Sequence, residues 1–372
     1  MTGFLTRQRR PGLDLTRIGT PASCQFDLTL HPLPNEDLLG MFLRLDSVLK
    51  EQRATPVLQF TFGSLAALRG AEETMRQVFG DRDWPVTSID GASALSGGLG
   101  GIEVLAVSDR PLTRVTVGGR VVASIFQDGS ARHCLVGGLG ATDPAVTRTE
   151  QTRRSFAELA ALLHANGFVL AEVVRTWFYL DDILSWYPDF NRVRTSIYRD
   201  QTFRLGSLPA STAVAGLNPA GAALAMAAWA IQSVGAAAYP AIEILSPRQG
   251  PAASYGSSFS RAVEIVLPVG RRLLISGTAS IAPAGATMWV DDVGRQIELT
   301  MAVVEALLDS RGMSLRDTCR AALYFKHRDF AQAFADWCAR RDLASLTGLP
   351  IHCNICRGDL LFEIELDAVT AR

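Results

Sequence analysis

The sequence is poor in cysteine. Six cysteines in 372 residues are too few for a disulfide framework, and Cys353 and Cys356 form the one C-x-x-C pair. A zinc site would need a second such pair or a pair of histidines at matching spacing, and the sequence has neither. A thioredoxin-like pair would open a helix after a strand, whereas this pair leads into a predicted strand. We therefore expect two half-buried thiols, no metal and no cofactor.

A charged segment of one sign and a membrane-spanning run are also lacking. Lys and Arg total 36 against 37 Asp and Glu, and the basic residues are scattered, which predicts no nucleic-acid partner. The richest apolar stretch, AGAALAMAAWAIQSVGAAA, holds small residues and is interrupted by glycine, so we expect no membrane span. The basic start MTGFLTRQRRPG is not followed by an apolar signal core, which favours a cytoplasmic protein.

Two long segments of the chain repeat each other at an offset of about 145 residues. Each has a glycine-containing strand end, an amphipathic helix, a strand (VVRTWFYL or TCRAALYF) and a second helix. The matching pairs are Gly138 and Gly277, Gln151 and Gln296, Gly167 and Gly312, Tyr179 and Tyr324, and Phe190 and Phe334. Gly167 and Gly312 are predicted helix ends.

The N-terminal part carries a fainter copy of the same pattern. NEDLLGMFLRLDSVLKEQ and AALRGAEETMRQVFG are predicted helices, and TPVLQFTFGS, WPVTSID and GIEVLAVS are predicted strands. The sequence therefore predicts an α+β fold of three units, at 1–110, 111–245 and 246–372. Each unit would be one sheet with two helices on one face, and the three could bury their other faces against one another around a pseudo-threefold axis.

Near the C-terminus, the stretch LLFEIELDAV alternates apolar and acidic side chains. Phe362, Ile364 and Leu366 would share one face of a strand, and Glu363, Glu365 and Asp367 the other. The pattern allows two interpretations. In the first, which is the common case, the acids form a solvated face; in the second, one of them faces a crevice and acts as a proton donor.

Four stretches together resemble the chorismatase family, within the RidA/YjgF-like superfamily. They are SPRQ at 246–249, YGSSFSRA at 255–262, ISGTASI at 275–281 and CRGDLLFEIELDAV at 356–369, with weaker support from RTWFYL and DFNRVR. The resemblance covers roughly residues 110–372. It implies three RidA/YjgF-like (chorismate-mutase-like) units that form a pseudo-trimer within one chain. Because the trimer is internal, we expect a monomer or a weak dimer.

The resemblance implies removal of the enolpyruvyl group from chorismate or a close analogue, in secondary metabolism. The products would be pyruvate and a hydroxybenzoate or a dihydroxycyclohexadiene carboxylate. Protonating the vinyl ether carbon requires a carboxylic acid with a raised pKa, and by resemblance this is Glu363. Glu363 follows Leu360–Phe362 directly and is expected to be more desolvated than Glu365, which lies nearer the chain end. Cys356 would lie on the wall of the same crevice, and in the resembled family such a residue accompanies formation of 3-hydroxybenzoate.

The substrate is a small diacid, so cationic groups are expected to converge on it. The predicted substrate-binding residues lie in or beside the four stretches: Arg248, Tyr255, Arg261, Gly277, Thr278, Ala279, Lys326, His352 and Arg357. The three residues at 277–279 would form the crevice floor, where small side chains let a ring approach the backbone. A surface position is expected for Arg192 and Arg194.

Two alternatives remain open. A RidA-like enamine/imine deaminase would carry Leu-Pro-Ala-Arg, whose Arg grips the substrate carboxylate; here the corresponding stretches read LPAST and LPIH, with Ser211 and His352 in its place. The chain could instead be a non-catalytic pseudo-trimer that binds a small molecule. Two features favour this alternative: the segment after Pro247 is shortened, and Trp289 stands where a His is expected.

Overall fold

Three six-stranded sheets with the same strand order make up the molecule. The computed structural model describes residues 3–20, 23–81, 84–95, 98–129, 131–140, 143, 145–343, 346 and 348–371. Within each unit the strands lie in the order first, second, third, sixth, fourth, fifth. The fourth and fifth strands are parallel and the other neighbours antiparallel. The α+β fold of three repeated units is confirmed.

The elements of each unit follow in chain order. The first unit has β1 (Phe4–Arg10), β2 (Leu13–Thr20), β3 (Ser23–Leu30), α1 (Leu38–Gln52), β4 (Thr55–Gly63), α2 (Leu65–Leu68), α3 (Ala71–Phe79), β5 (Val86–Asp90) and β6 (Leu99–Val107). The second has β7 (Thr113–Val117), β8 (Arg120–Asp128), β9 (Ala131–Leu139), α4 (Arg148–Ala165), β10 (Val173–Leu180), α5 (Ile183–Arg199), β11 (Ala210–Ala215) and β12 (Leu224–Ser233). The third has β13 (Ala241–Ile244), β14 (Ala262–Leu267), β15 (Gly270–Ala279), α6 (Val293–Asp309), β16 (Thr318–Phe325), α7 (Phe330–Arg340), β17 (Leu349–His352) and β18 (Phe362–Ala371).

Local signals account for the helices. The side chains of Thr147 and Asp292 cap α4 and α6 by accepting hydrogen bonds from the backbone at the third helical residue. Gly167 and Gly312, with φ of 77° and 64°, take the left-handed conformation that follows a helix end. One prediction was wrong in detail, because Gly70, at φ 76°, separates α2 from α3 where the sequence indicated one helix.

Each sheet buries both of its faces. One face packs on the helices of its own unit, as in the core of Phe156, Leu159 and Phe178. The other face packs on the neighbouring units, and the central core draws residues from all three, such as Phe60, Trp177 and Ala322. The strand β13 pairs with β14 although it precedes residue 246, where the third unit was expected to begin.

The units contact one another in a closed cycle. The third unit meets the second where Ser211 N donates to Ser276 Oγ at 2.9 Å. The second meets the first where Gly138 N donates to Thr87 Oγ1 at 2.9 Å. The first meets the third where Ala94 N donates to Pro350 O at 2.9 Å. We call these contacts the 2–3, 1–2 and 3–1 junctions.

Charged side chains meet at the centre of this cycle. Arg272 pairs with Asp27 at 2.7 Å, and Arg320 pairs with Glu103 at 2.7 Å and with Glu365. All are at most 2% exposed. The solvated acidic face that the alternation of β18 allowed is therefore wrong, because neighbouring units cover that face of the strand.

The described residues show neither a membrane-spanning helix nor a metal-binding cluster. No helix in them is long and apolar enough to cross a membrane. They also hold no group of three or more His, Cys, Asp or Glu side chains arranged to bind a metal ion.

Candidate active site

Glu363 lies at the 2–3 junction and is the second residue of β18. Its neighbours across the sheet are Tyr324 in β16 and Ala279 in β15. A bulge between Ile275 and Thr278 lifts Gly277 towards the Glu363 carboxyl, and a side-chain carbon at Gly277 would overlap Oε1 of Glu363. The absence of a side chain at Gly277 is therefore what leaves room for this carboxyl.

The environment of Glu363 favours its neutral form. The side chain is 5% exposed, and no group among the described residues donates a hydrogen bond to its carboxyl. Burial, and then the nearby charge of Glu365, raise the pKa of Glu363 to about 8, while Arg175 and Arg261 act in the opposite direction. A carboxyl that keeps its proton at neutral pH is suited to general acid catalysis.

Glu365, in contrast to Glu363, is held in its charged form. It is fully buried, which overturns the expectation that it is the more solvent-accessible of the two acids. Its oxygens accept hydrogen bonds from Arg320, from Arg175 at 2.8 Å and from Trp177 Nε1 at 3.2 Å. Burial alone would raise the pKa of Glu365, but Arg320 and Arg175 lower it below its usual value. Cationic partners, not solvent, therefore keep this carboxyl charged.

Arg261 and Tyr255 face Glu363 from the third unit. Arg261 is 4% exposed; its Nε donates to Gly250 O at 3.1 Å and its Nη2 to the Tyr255 hydroxyl at 2.5 Å. Burial lowers the pKa of Arg261, and the charges of Tyr255 and Glu363 oppose that shift. The Arg357 guanidinium lies 5.6 Å from the Tyr255 ring centre, and its Nη1 donates to Gly285 O at 2.6 Å. Both guanidinium groups thus lie against the Tyr255 ring, and the charge of Arg261 reaches Glu363.

Cys356 and Tyr187 complete the contact between the units. Tyr187, from α5 of the second unit, interacts with the Cys356 thiol. Burial, and then the charge of Glu363, raise the pKa of Cys356 to about 12, so this thiol stays protonated. Burial also raises the pKa of Tyr187. Cys356 therefore lies at this junction as a neutral, polarisable group, not as a thiolate nucleophile. We call the surroundings of Glu363, with Gly277, Arg261, Tyr255 and Cys356, the cleft.

Several residues near the cleft were not predicted from the sequence. Arg194 was expected on the surface, yet it is 1% exposed; it donates to Asn191 Oδ1 at 2.6 Å and to Ser211 Oγ at 3.3 Å. Thr212 accepts a hydrogen bond from Gly277 N at 3.1 Å. The DFNRVR stretch carried the signal for Arg194, but helical spacing could not show that the third unit covers this face of α5. Arg192 is exposed and pairs with Asp189, as expected.

Four predicted site residues direct their side chains to other partners or to solvent. Arg248 is exposed, and it lines a groove with Glu305 and Asp309 on the outer side of α6. Thr278 pairs with Ile364, so its side chain is on the helix face of the sheet, where its hydroxyl donates to Ser276 O at 2.8 Å.

His352 and Lys326 are the other two. His352 pairs with Phe325 on the helix face, and burial and the charge of Arg328 lower its pKa. Lys326 directs its Nζ to the Gly358 carbonyl. Side chains alternate between the two faces of a strand. Thr278 and His352 each lie one residue away from a residue on the cleft side, so their side chains point to the helix face.

The comparisons with known proteins agree with one another. No model of a protein family matches the sequence. A chorismatase of Streptomyces hygroscopicus is 26% identical over 245 residues, covering 59% of this chain and 70% of the relative. The crystal structure of a chorismatase matches 94% of this chain and 100% of its own, with a TM-score of 0.65 and 18% identity. A member of the YjgF family from Neisseria meningitidis matches 31% of this chain and 88% of its own, with a TM-score of 0.26 and 16% identity. The resemblance of this chain to chorismatases is confirmed, in sequence by the relative from Streptomyces hygroscopicus and in fold by the crystal structure.

Proposed function

We propose that this chain is a chorismatase-like enzyme that removes the enolpyruvyl group of chorismate or a close analogue, in secondary metabolism. The observation that carries the proposal is the Glu363 carboxyl, buried at the 2–3 junction with a pKa raised to about 8 and two guanidinium groups nearby. A protonated carboxyl beside cations fits a reaction that begins with proton transfer to an anionic enol ether. The similarity to a curated chorismatase supports this choice of substrate class.

The proposed reaction begins at Glu363. The carboxyl gives its proton to the methylene carbon of the vinyl ether, and the positive charge that develops on the ether carbon is shared with the ether oxygen. Glu363, now ionised, lies close enough to stabilise this cation. Water adds to the cation and returns a proton to Glu363. In the resulting hemiketal, the bond between the hemiketal carbon and the oxygen attached to the ring then breaks. This releases pyruvate and a dihydroxycyclohexadiene carboxylate.

A second product is possible from the same protonated substrate. An intramolecular route would release pyruvate and 3-hydroxybenzoate without net consumption of water, because these two products together have the composition of chorismate. Cys356 stands on the cleft wall as an uncharged thiol, and we propose that it favours this route. Replacing Cys356 by Ser should shift the product ratio towards the hydrolysis product.

Arg261 and Arg357 are the proposed carboxylate-binding groups, with Tyr255 holding Arg261 in place. Both guanidiniums lie at the cleft, and charge-assisted hydrogen bonds to carboxylates are among the stronger polar contacts. Gly277 and Ala279 would let the ring approach the β15 backbone. Arg194 is a further candidate, because it reaches Ser211, the position at which the simple deaminases carry their carboxylate-binding Arg.

The decisive experiment is incubation of the purified protein with chorismate, followed by mass spectrometry of pyruvate and ring products. We expect turnover by the unchanged protein and a loss of about 10²–10⁴-fold in Glu363→Gln, which keeps the shape but cannot donate the proton. Glu298→Gln, an exposed carboxyl on α6, is the matched control and should leave the rate unchanged.

The alternatives give different outcomes in the same assay. Ammonia release from an enamine or imine, without turnover of chorismate, would favour a deaminase. Binding of chorismate without any product would favour a non-catalytic pseudo-trimer. Equal turnover by Glu363→Gln and the unchanged protein would contradict the assignment of the proton donor.

A further inference from the structure

The three junctions of the molecule can be compared position by position, because the strand registers match. Glu363 stands opposite Tyr324 in the third unit. The corresponding pairs are Ala225 opposite Tyr179 in the second unit and Gly101 opposite Phe62 in the first. Of these three equivalent positions, only that of the third unit carries a carboxyl. The proton donor is therefore unique to the 2–3 junction.

The 1–2 junction keeps the framework of the 2–3 junction. Gly138 N donates to Thr87 Oγ1 at 2.9 Å, just as Gly277 N donates to Thr212 Oγ1 at 3.1 Å. Both glycines lie in a bulge of the third strand of their unit against the sixth. The 1–2 junction also holds an open cavity of about 520 Å³, which Gly138 and Ala225 line. We call it the second cleft.

The 3–1 junction is closed. At Gly101, a side-chain carbon would lie 2.5 Å from Leu349 Cδ2 and 2.7 Å from the Leu30 carbonyl. The Leu349 side chain therefore fills, at this junction, the space that the cavity occupies at the 1–2 junction. The second cleft is not a general consequence of the threefold arrangement, since one junction has lost it.

Charge distinguishes the second cleft from the catalytic one. Where the 2–3 junction places the Glu363 carboxyl beside Gly277, a side-chain carbon at Gly138 would lie 3.4 Å from Nη2 of Arg120. Ala225 replaces the acid, and Arg69 and Arg76 also line the cavity. Glu72 and Glu73 line it too, and Glu73 pairs with Arg76. Near Gly138, the cleft thus presents a guanidinium in place of a proton donor.

We propose that the second cleft is a binding site for a small ring carboxylate, which it holds without chemical change. The Arg120 guanidinium would pair with the carboxylate, and Ala225 and Gly138 would leave room for the ring against the sheet. With a methyl group in place of the Glu363 carboxyl, this cleft lacks the buried acid that the 2–3 junction holds at the equivalent position. The choice of a ring carboxylate rests on the proposed function; the cleft and its guanidinium do not.

Isothermal titration with 3-hydroxybenzoate tests the site. We expect the unchanged protein to bind two molecules per chain, one at each open junction. Ala225→Phe would fill the second cleft and reduce the stoichiometry to one. Arg120→Ala, an exposed change that should not disturb folding, would weaken the second binding event about 10-fold. The uncharged 3-hydroxybenzamide should not bind to the second cleft.

The outcomes separate this proposal from the proposed function. Two binding events that persist unchanged in both variants would overturn the second site. A single event that Ala225→Phe leaves intact would also overturn it. If only one binding event is seen and both variants weaken it, the ligand binds in the second cleft. That result would support the second cleft and count against the 2–3 junction as the site of a ring carboxylate.

Discussion

Glu363 and Glu365 lie two residues apart on one face of β18, yet the pKa of each carboxyl is shifted in the opposite direction. Both are buried, so burial alone does not distinguish them. Arg320 and Arg175 stand in hydrogen-bond contact with Glu365, whereas Glu363 receives only the more distant influence of Arg175 and Arg261. Hydrogen-bonded cations therefore decide which carboxyl stays charged.

The pKa of Glu363 predicts a pH-rate profile. Because the proposed donor acts in its protonated form, kcat/KM for chorismate should be level at neutral pH and fall tenfold per unit as the pH rises beyond about 8. Initial rates between pH 6 and 10 in one buffer series would measure this limb. A rate that instead rises through this range would indicate a general base.

Glu363 should also lower the stability of the fold. The folded protein holds a proton on Glu363 that the unfolded chain releases at a lower pH, so this group makes the free energy of unfolding fall as the pH rises from about 4.5 to 8. Glu363→Gln should therefore be more stable than the unchanged protein at pH 7, by up to about 3 kcal/mol. Urea unfolding at pH 5 and pH 7 measures the difference. An equal pH dependence in both proteins would show that Glu363 is charged when folded.

At the scale of elements, the bulge in β15 sets the position of the Glu363 carboxyl. Gly277→Ala would place a methyl group on Oε1 of Glu363 and displace it. We expect turnover to fall about 100-fold, because small displacements of a catalytic group are costly, while the fold is retained. Gly294→Ala is the matched control, since a side-chain carbon there meets only Asp292 Oδ1 at an ordinary 3.5 Å. Similar rates in both variants would contradict this role for Gly277.

The elements that repeat were the ones that the sequence predicted well. The strands β10 and β16 begin and end where VVRTWFYL and TCRAALYF do, because most of their residues are apolar and all of them are buried. The first three strands, β1–β3, were not predicted, although Pro11 and Gly12 mark the turn between the first two. Local patterns could not show what covers the second face of each sheet.

The candidate site shows the same limit. The third-unit motifs placed Glu363, Arg261 and Tyr255 at one cleft because they lie on neighbouring strands or just before them. Arg194 and Tyr187 come from the second unit, and their approach depends on how two units dock. Arg248 and Lys326 show a different limit, because motif position alone does not fix where a long side chain points.

At the scale of the whole molecule, the three sheets already bury their second faces against one another within one chain. No further copy is needed to cover them, so we predict a particle of about the chain mass of 40.1 kDa, or at most a weak dimer. Light scattering coupled to size-exclusion chromatography measures the mass directly. A stable trimer at micromolar concentration would contradict this prediction.

The charges at the centre of the molecule tie the three units together. Glu103 comes from the first unit, Arg175 from the second, and Arg320 and Glu365 from the third. Burial, opposed by Arg320, raises the pKa of Glu103 to about 8, so this acid is largely neutral at pH 7. The remaining acids are offset by arginines that reach them from other units, as Arg175 reaches Glu365 at 2.8 Å.

Arg320 is the member of this group on which the others depend most, because it contacts Glu103 and Glu365 and lies 3.9 Å from Asp367. Arg320→Met should destabilise the whole chain by about 3–5 kcal/mol, since it removes one of the two cations that hold Glu365 charged and the cation that contacts Glu103. Arg192→Ala, which removes only the exposed pair with Asp189, should cost at most about 0.5 kcal/mol. Urea unfolding followed by tryptophan fluorescence compares them. Since the lost contact with Glu103 joins the third unit to the first, the Arg320 variant should unfold in one transition at lower urea. Separate unfolding of one unit would show that the network does not couple the three.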